Sequence, residues 1–507
     1  MTFENYLKNL GFENNPFLYS NADKEVDVIG KYFIEPDYFE DVWGNPNNPV
    51  SNIVYAPRGA GKTAQRIMIE QRAKKEKNIL AVTYINHDLT GFSNIEEISS
   101  LYHLTYLNRL LLLSFFNRIE NPQFNFITVF TFTERQYIYK LARIYLYDTP
   151  ASFPNQAIQS LKTFEDYAVD LWKKFKEPIA NIIKQISKAK GFEIDISNIE
   201  IDKKLSLSHK DNFFNIIQFL VRANYTSIMI LVDKVDEQNL TGNNPQASFR
   251  LIEDLIKDLE LLESKQLSFK FFLWDALKPY TVKIARPDRV FSYDLKWTWD
   301  QIRKMLTKRV FAYSNGRLPK FENLFPDKRS LGRIILFSEF SPRDCIRICN
   351  RVLSEQFKEN ALSETFDPNV VDKAIEIFSK EKSQEIISNP TNLKYLIKTD
   401  QVSFTIEELV IKKVAADSPA IRNIINPWTT AGYLKKIGLV SRKNAKAVNE
   451  YAFQDVRLAL SACPTLTLDL FVERKVRRCK VQKCGTLFYR DFDRKKYYCP
   501  DCNTEND

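Results

Sequence analysis

The stretch Asn52-Ile53-Val54-Tyr55-Ala56-Pro57-Arg58-Gly59-Ala60-Gly61-Lys62-Thr63 decides how the rest of the chain is read. It starts as a short β-prone run and passes through a loop holding two glycines. A helical pattern then extends from Lys62 to about Lys74. The spacing is that of a phosphate-binding P-loop, G-x-x-x-x-G-K-[ST], with Ala56 in place of the first glycine. Gly59 and Gly61 allow consecutive backbone N–H groups to curl around a phosphate, and the helix N-terminus adds partial positive charge. Lys62 is spaced to reach the β- and γ-phosphates of ATP, and the Thr63 hydroxyl to ligate Mg²⁺. Ala56, Pro57, Arg58, Gly59, Ala60, Gly61, Lys62 and Thr63 are therefore the predicted nucleotide contacts.

Outward from the loop, Ile79 to Ile85 is a continuous β-prone run, as expected of a buried parallel strand. The next such run, Ser227 to Val232, comes only about 140 residues later. What lies between is mostly helical in pattern, at Ile95 to Ile119, Thr133 to Tyr147 and Phe164 to Ile186. A crossover between parallel strands needs only a dozen or so residues. Residues 96–222 are therefore expected to form a large helical insertion, whose role the sequence does not disclose.

Val232 leads into Asp233-Lys234-Val235-Asp236-Glu237. A strand ending in acids, paired with a P-loop, reads as a Walker B segment, with Asp233 in the Mg²⁺ shell. Lys234 stands where many such ATPases carry glutamate. The carboxylate that polarises the attacking water is then Asp236 or Glu237, with Glu237 favoured. Phe269 to Trp274 and Val290 to Tyr293 complete an α/β parallel sheet. Helices are expected at Trp299 to Phe311, from Ser341-Pro342 onward, and at Asn369 to Ile387.

Ala-Pro-Arg-Gly-Ala-Gly-Lys-Thr, Leu-Val-Asp-Lys-Val-Asp-Glu and a helix opening Ser-Pro-Arg resemble the AAA+ and STAND class of P-loop ATPases. More narrowly, they are similar to bacterial STAND-like ATPases, several of which serve in anti-phage defence. The resemblance covers about residues 10–385 apart from the insertion. It implies that Arg343, after Pro342, senses the γ-phosphate from a helical lid. It also implies that Arg286 or Arg289 reaches a neighbouring subunit's nucleotide in a homo-oligomer. The chain departs from the pattern twice: Ala56 replaces a glycine, and Trp274-Asp275 stands where a small polar sensor is expected. ATP hydrolysis that is slow, or that waits on a trigger or on oligomerisation, is the expectation.

Toward the C-terminus, Thr405-Ile406-Glu407-Glu408 has capping-box spacing ahead of a helix reaching Ala416. A second helical pattern, Ser418 to Ile425, is followed by Trp428 to Leu434. Gly438 to Val440 and Asn449 to Phe453 then read as a small wing, so this part looks like a winged helix. Cys479-x4-Cys484-x14-Cys499-x2-Cys502 offers four thiolates in two pairs, suited to a closed tetrahedral Zn²⁺ in a zinc ribbon. The expected division is 1–40 lead-in, 41–295 ATPase core, 296–390 helical lid, 391–470 winged-helix-like domain and 471–507 zinc ribbon.

The chain has 507 residues and a formal net charge of +10. Thr430 to Tyr498 holds 16 Lys/Arg against 6 Asp/Glu, so that segment alone matches the whole excess. Such a basic region points to nucleic acid, DNA foremost, with phosphates as the contacts. Tyr433, Phe488, Tyr489, Tyr497 and Tyr498 are interleaved with Lys435, Lys436, Arg442, Lys443, Arg494, Lys495 and Lys496. No apolar run is long enough to cross a bilayer, and Met1-Thr2-Phe3-Glu4-Asn5 opens no secretory pattern, which points to the cytoplasm. The competing function is a nucleotide-gated scaffold that recruits a separate effector protein and does not contact nucleic acid.

Overall fold

The computed structural model describes residues 1–120, 123–146, 149–150, 152–161, 208–327, 329–442, 445–491 and 497–506. The helix expected at Phe164 to Ile186 lies outside the described residues, as do Lys443, Arg494, Lys495 and Lys496. Two compact units form: Glu35–Leu295, and Met1–Ile34 together with Lys296–Asp507.

The unit Glu35–Leu295 is built on five parallel strands: β1 Asn52–Ala56, β2 Ile79–Tyr84, β3 Ser227–Val232, β4 Leu267–Trp274 and β5 Phe291–Asp294. Their order across the sheet is β2-β3-β4-β1-β5, and every pairing is parallel. Every residue of β1, β2 and β3 is buried. That follows from helices covering both faces, and explains why these strands read as apolar runs without alternation. β5, at the edge, is largely exposed. β1 lies between β4 and β5, while the chain leaving it crosses to β2 at the far edge. The carboxyl ends of β1, β3 and β4 therefore open onto the crevice where α/β sheets bind ligands.

Among its described residues the insertion is helical, with helices Ser100–Glu120, Phe126–Val129, Phe132–Leu146, Phe153–Ser160 and His209–Arg222. It shares one continuous core with β2 and β3, in which Leu107, Leu110 and Phe115 join Val82, Tyr84 and Ile230. Phe115 sits at the centre of an aromatic knot, 5.5 Å from Phe130 and 6.1 Å from Phe219 between ring centroids. The described helices of the insertion are thus part of the sheet's hydrophobic core and stabilise the edge strand β2.

In the other unit, Trp299–Tyr313 opens with a capping box between Thr298 and Gln301. Ser341 caps Pro342–Glu359 by accepting from the Asp344 N–H, with Pro342 in the first turn. The N-terminal segment is held by Arg309, whose side chain is fully buried. Its Nη2 donates to the Tyr19 carbonyl at 3.0 Å and to Glu25 Oε1 at 2.5 Å.

A winged-helix arrangement follows: helices Pro390–Lys398, Ile406–Ile411 and Ser418–Thr430 with antiparallel strands β6 Ser403–Thr405, β7 Leu434–Arg442 and β8 Ala445–Phe453. The first expected helix stops at Ile411, well short of Ala416. Lys413 turns left-handed at φ 54°. The N–H of Val414 then bonds back to Leu409 and that of Lys413 to Val410, a Schellman termination. The next helix runs on to Thr430 with Pro427 inside it. The tail carries β9 Val476–Arg478 paired with β10 Leu487–Tyr489, and β11 Tyr497–Tyr498 paired with β12 Glu505–Asn506.

Candidate nucleotide site and cysteine cluster

β1 delivers the loop, and two glycines shape it. Gly59 and Gly61 have φ of 82° and 100°, left-handed values that L side chains adopt only under strain. Gly61 is also the residue from which the helix Lys62–Lys75 starts. Lys62 Nζ donates to the carbonyls of Ala56 at 3.0 Å and Pro57 at 3.2 Å, which keeps the ammonium over the loop.

β3 delivers the acids. Thr63 Oγ1 donates to Asp233 Oδ2 at 3.0 Å, and Arg66 Nε donates to that same oxygen at 3.0 Å. Asp233 Oδ1 accepts from the Lys234 N–H at 2.9 Å. The Arg66 side chain has no exposed surface, and its guanidinium also pairs with Glu70 one turn on, which Thr83 of β2 contacts in turn. A buried guanidinium is tolerable only with such partners. The motif did not single out Arg66, although an Arg and a Glu four apart on the P-loop helix were visible in the sequence.

After Asp233 the backbone reverses, with Lys234 left-handed at φ 58°. This brings Asp236 back to the loop, where Arg58 Nε donates to its Oδ2 at 2.8 Å. Glu237 is exposed by contrast. β4 delivers Trp274, whose ring lies 4.0 Å beneath the Arg58 guanidinium. The structure thus gathers residues 56–63, Asp233 and Asp236 at one end of the sheet. Arg286 and Arg289 are exposed in the turn before β5, where Arg289 pairs with Glu263 at 3.1 Å. Arg343 is exposed on the first turn of its helix in the other unit. The Thr63 hydroxyl and Asp233 carboxylate, in contact, are the hard oxygen donors that Mg²⁺ prefers.

Cys479, Cys484, Cys499 and Cys502 bring their sulfurs within 4.8 Å of one another. Two similar turns build the cluster. Gly485 follows Cys484 at φ 61° and Asn503 follows Cys502 at φ 52°. Thr486 and Thr504 then place hydroxyls 3.1 and 3.2 Å from the sulfur two residues back. The Thr504 hydroxyl draws the Cys502 thiol down to about 6, while burial pushes Cys499 up to about 12. A soft four-sulfur donor set fits tetrahedral Zn²⁺ with no open position. Asp501 ties the cluster to the helix Trp299–Tyr313, its Oδ2 accepting from the Trp299 N–H and the Thr486 hydroxyl at 2.8 Å each.

On the winged helix, Ser418–Thr430 exposes Arg422, Asn423, Asn426, Thr429 and Thr430, and the strands expose Lys435, Lys436 and Lys446. Arg442 is half-buried and pairs with Glu407. Most of the interleaved aromatics pack inward. Phe488 is buried beside Cys479 and Cys499, Tyr489 donates to the Phe453 carbonyl at 3.1 Å, and Tyr433 to the Ile386 carbonyl at 3.2 Å. Tyr498 remains exposed.

No protein-family model matches the chain. A curated relative, described as a putative transposon gamma-delta 80.3 kDa protein of Escherichia coli (strain K12), is 21% identical over 372 residues. That match covers 69% of this chain and 48% of the relative, so the chain spans about half the length of the curated relative it matches. Among solved structures, the Aeropyrum pernix ORC1 protein in complex with DNA overlaps with a TM-score of 0.36 and 12% identity, over 90% of this chain and 97% of that one. The Aeropyrum pernix ORC2 protein gives 0.35 and 9%, over 87% and 92%. Drosophila ORC bound to DNA gives 0.28 and 11%, over 92% of each chain. At these scores the α/β P-loop fold rests on strand order and loop geometry rather than on the overlap. Among the described residues, no helix is long and apolar enough to cross a membrane.

Proposed function

We propose that the chain is an ATP-binding and ATP-hydrolysing switch or motor subunit of the AAA+/STAND kind that engages DNA through its basic C-terminal part. One contact carries the ATP reading: the Thr63 hydroxyl on Asp233 Oδ2 at 3.0 Å, beside a lysine held over a two-glycine loop. Backbone N–H groups of the loop would take the phosphates, and Lys62 would exchange its loop carbonyls for phosphate oxygens. Thr63 and Asp233 would hold Mg²⁺, which when bound neutralises phosphate charge. Asp236 and Glu237 are the candidate bases for the attacking water, with Asp236 the one against the loop. Arg286 and Arg289 are exposed as an arginine serving a neighbouring subunit must be. Arg343 keeps its γ-phosphate-sensing role as an implication of the resemblance.

The four cysteines would hold a structural Zn²⁺. The exposed polar face of Ser418–Thr430 and the nearby lysines suit a duplex, with phosphates contacted by lysine and base edges reachable from Arg422, Asn423 and Asn426. Any effector chemistry would come from a separate protein. A protein-binding scaffold is the second reading, favoured by the exposed Leu439 and Val440 on the wing and by Ile411 at 78% exposure. A gel-shift series in rising salt, with and without ATP, separates the two. Salt-sensitive binding of duplex DNA supports the first reading, and salt-insensitive association with a co-purifying protein supports the second.

A further inference from the structure

The two departures from the P-loop pattern meet in space. Ala56 and Trp274 are direct partners across the β1–β4 ladder. The indole of Trp274 is also the platform for Arg58, two residues into the loop, at 4.0 Å. From there the Arg58 guanidinium reaches Asp236 Oδ2 through both Nε and Nη2, each at 2.8 Å. The Arg58 side chain is 36% exposed, whereas that of Asp236 is 9% exposed. A cation held between an aromatic face and a largely buried carboxylate is restrained from both sides. The left-handed turn at Lys234, a conformation costly for a lysine, is what aims Asp236 at the loop.

Hydrolysis needs a carboxylate oxygen free to take a proton. The attacking water must lose a proton as its oxygen bonds to the γ-phosphorus and the bond to the β–γ bridging oxygen breaks, leaving ADP and phosphate. An oxygen already engaged by two guanidinium N–H groups is a poor acceptor for that proton. We infer that Arg58 is a positioning residue that withholds Asp236 from the attacking water, with Trp274 as its backstop, so that bound ATP waits until the pair opens. The inference rests on the ATP reading above. It assigns the residue pair Arg58–Asp236 as the point at which hydrolysis is held back, and it gives Trp274 a role in place of a small polar sensor.

The test compares full-length wild type with Arg58→Met, Arg58→Lys, Trp274→Phe and the double variant Arg58→Met/Asp236→Asn. Calorimetry gives ATP affinity, steady-state hydrolysis gives kcat and KM, and tryptophan emission reports on Trp274. Arg58→Met is expected to raise kcat about fivefold, the population that an ion pair of ordinary strength withholds. Because Arg58 is itself among the predicted loop contacts, kcat is read at saturating ATP for each variant, apart from any change in affinity. Arg58→Lys restores a cation beside Asp236 and should return kcat toward the wild-type value. The double variant should show no gain, and Trp274→Phe should remove an ATP-dependent change in emission. A kcat that falls or is unchanged in Arg58→Met, with ATP still bound, overturns the inference, as does a gain that survives Asp236→Asn. Folded wild type that binds no ATP overturns the nucleotide reading itself, a failure that these kinetic outcomes do not resemble.

Discussion

Arg66 Nε lies 3.0 Å from Asp233 Oδ2, the same oxygen that accepts the Thr63 hydroxyl. The P-loop helix therefore grips the acid at the end of β3 twice, once by a residue of the motif and once by a buried cation outside it. Glu70 completes the arrangement, contacted by Arg66 and by Thr83 of β2, so that three neighbouring elements share one charge network.

Arg66→Met should therefore be costly for stability as well as for nucleotide binding. It leaves Asp233 and Glu70, 2% and 6% exposed, without their counter-charge. The expected loss is about 3–5 kcal/mol, the usual consequence of breaking a buried ion pair by removing one partner. Denaturant unfolding measures it. Arg66→Lys should retain part of the loss-sparing charge but not the geometry of two simultaneous contacts.

Metal dependence follows from the cysteine cluster. Freshly purified, chelator-free protein should carry about one zinc per chain by elemental analysis, with release on chelation. Because Asp501 bonds the first N–H of the helix Trp299–Tyr313, chelation should also lower the melting temperature and raise exchange of the Trp299 amide. No zinc and no effect of chelation would refute the ribbon.

How much of this was legible in the sequence depends on whether the signal was local. The P-loop, the acid at the end of β3 and the four cysteines were readable because their chemistry fixes residue types at short spacing. Ser227–Val232 was readable to the residue because both faces of the strand are covered. The stop at Ile411 was not, since a left-handed Lys413 rather than a glycine makes the turn. The inward packing of Tyr433, Tyr489 and Phe488 was not legible either. Their spacing among cations did not show that two of them spend their hydroxyls on backbone carbonyls and the third lies in the cysteine core. The contacts of Arg58 with Asp236 and of Arg66 with Asp233 span 178 and 167 positions, and no local pattern encodes them.

The proposed nucleic-acid surface makes a further expectation. Affinity for duplex DNA should fall with salt by about 0.9 log units per phosphate contact per log unit of salt. Replacing the exposed Lys435, Lys436 and Lys446 by alanine should flatten that slope and weaken all sequences alike. Replacing Arg422 and Asn423 should instead reduce discrimination between sequences if the helix Ser418–Thr430 reads bases. Filter binding across a salt series measures both.

Stability should also depend on pH through Lys270, a fully buried lysine on β4. Burial pulls its ammonium down to about 7 from 10.5, with the Val50 carbonyl accepting from Nζ at 2.6 Å. Between about pH 7 and 10.5 the unfolded chain then holds more protons at this group than the folded one. Stability should therefore rise with pH across that window, by on the order of a few kcal/mol. Below about pH 7 the group is protonated in both states and the cost of burying its charge is fully present. Lys270→Met should remove this pH dependence in urea melts taken across the window.

The most direct measurement is a calorimetric titration of full-length wild type and Lys62→Ala with ATP in the presence of Mg²⁺. Lys62 is the loop side chain spaced for the β- and γ-phosphates, and its Nζ already sits over the carbonyls of Ala56 and Pro57. Saturable binding to wild type near one ATP per chain, lost in a folded Lys62→Ala, is the expected result. Equal affinity in the two proteins, or no binding by either, would contradict the assignment of this crevice as a nucleotide site.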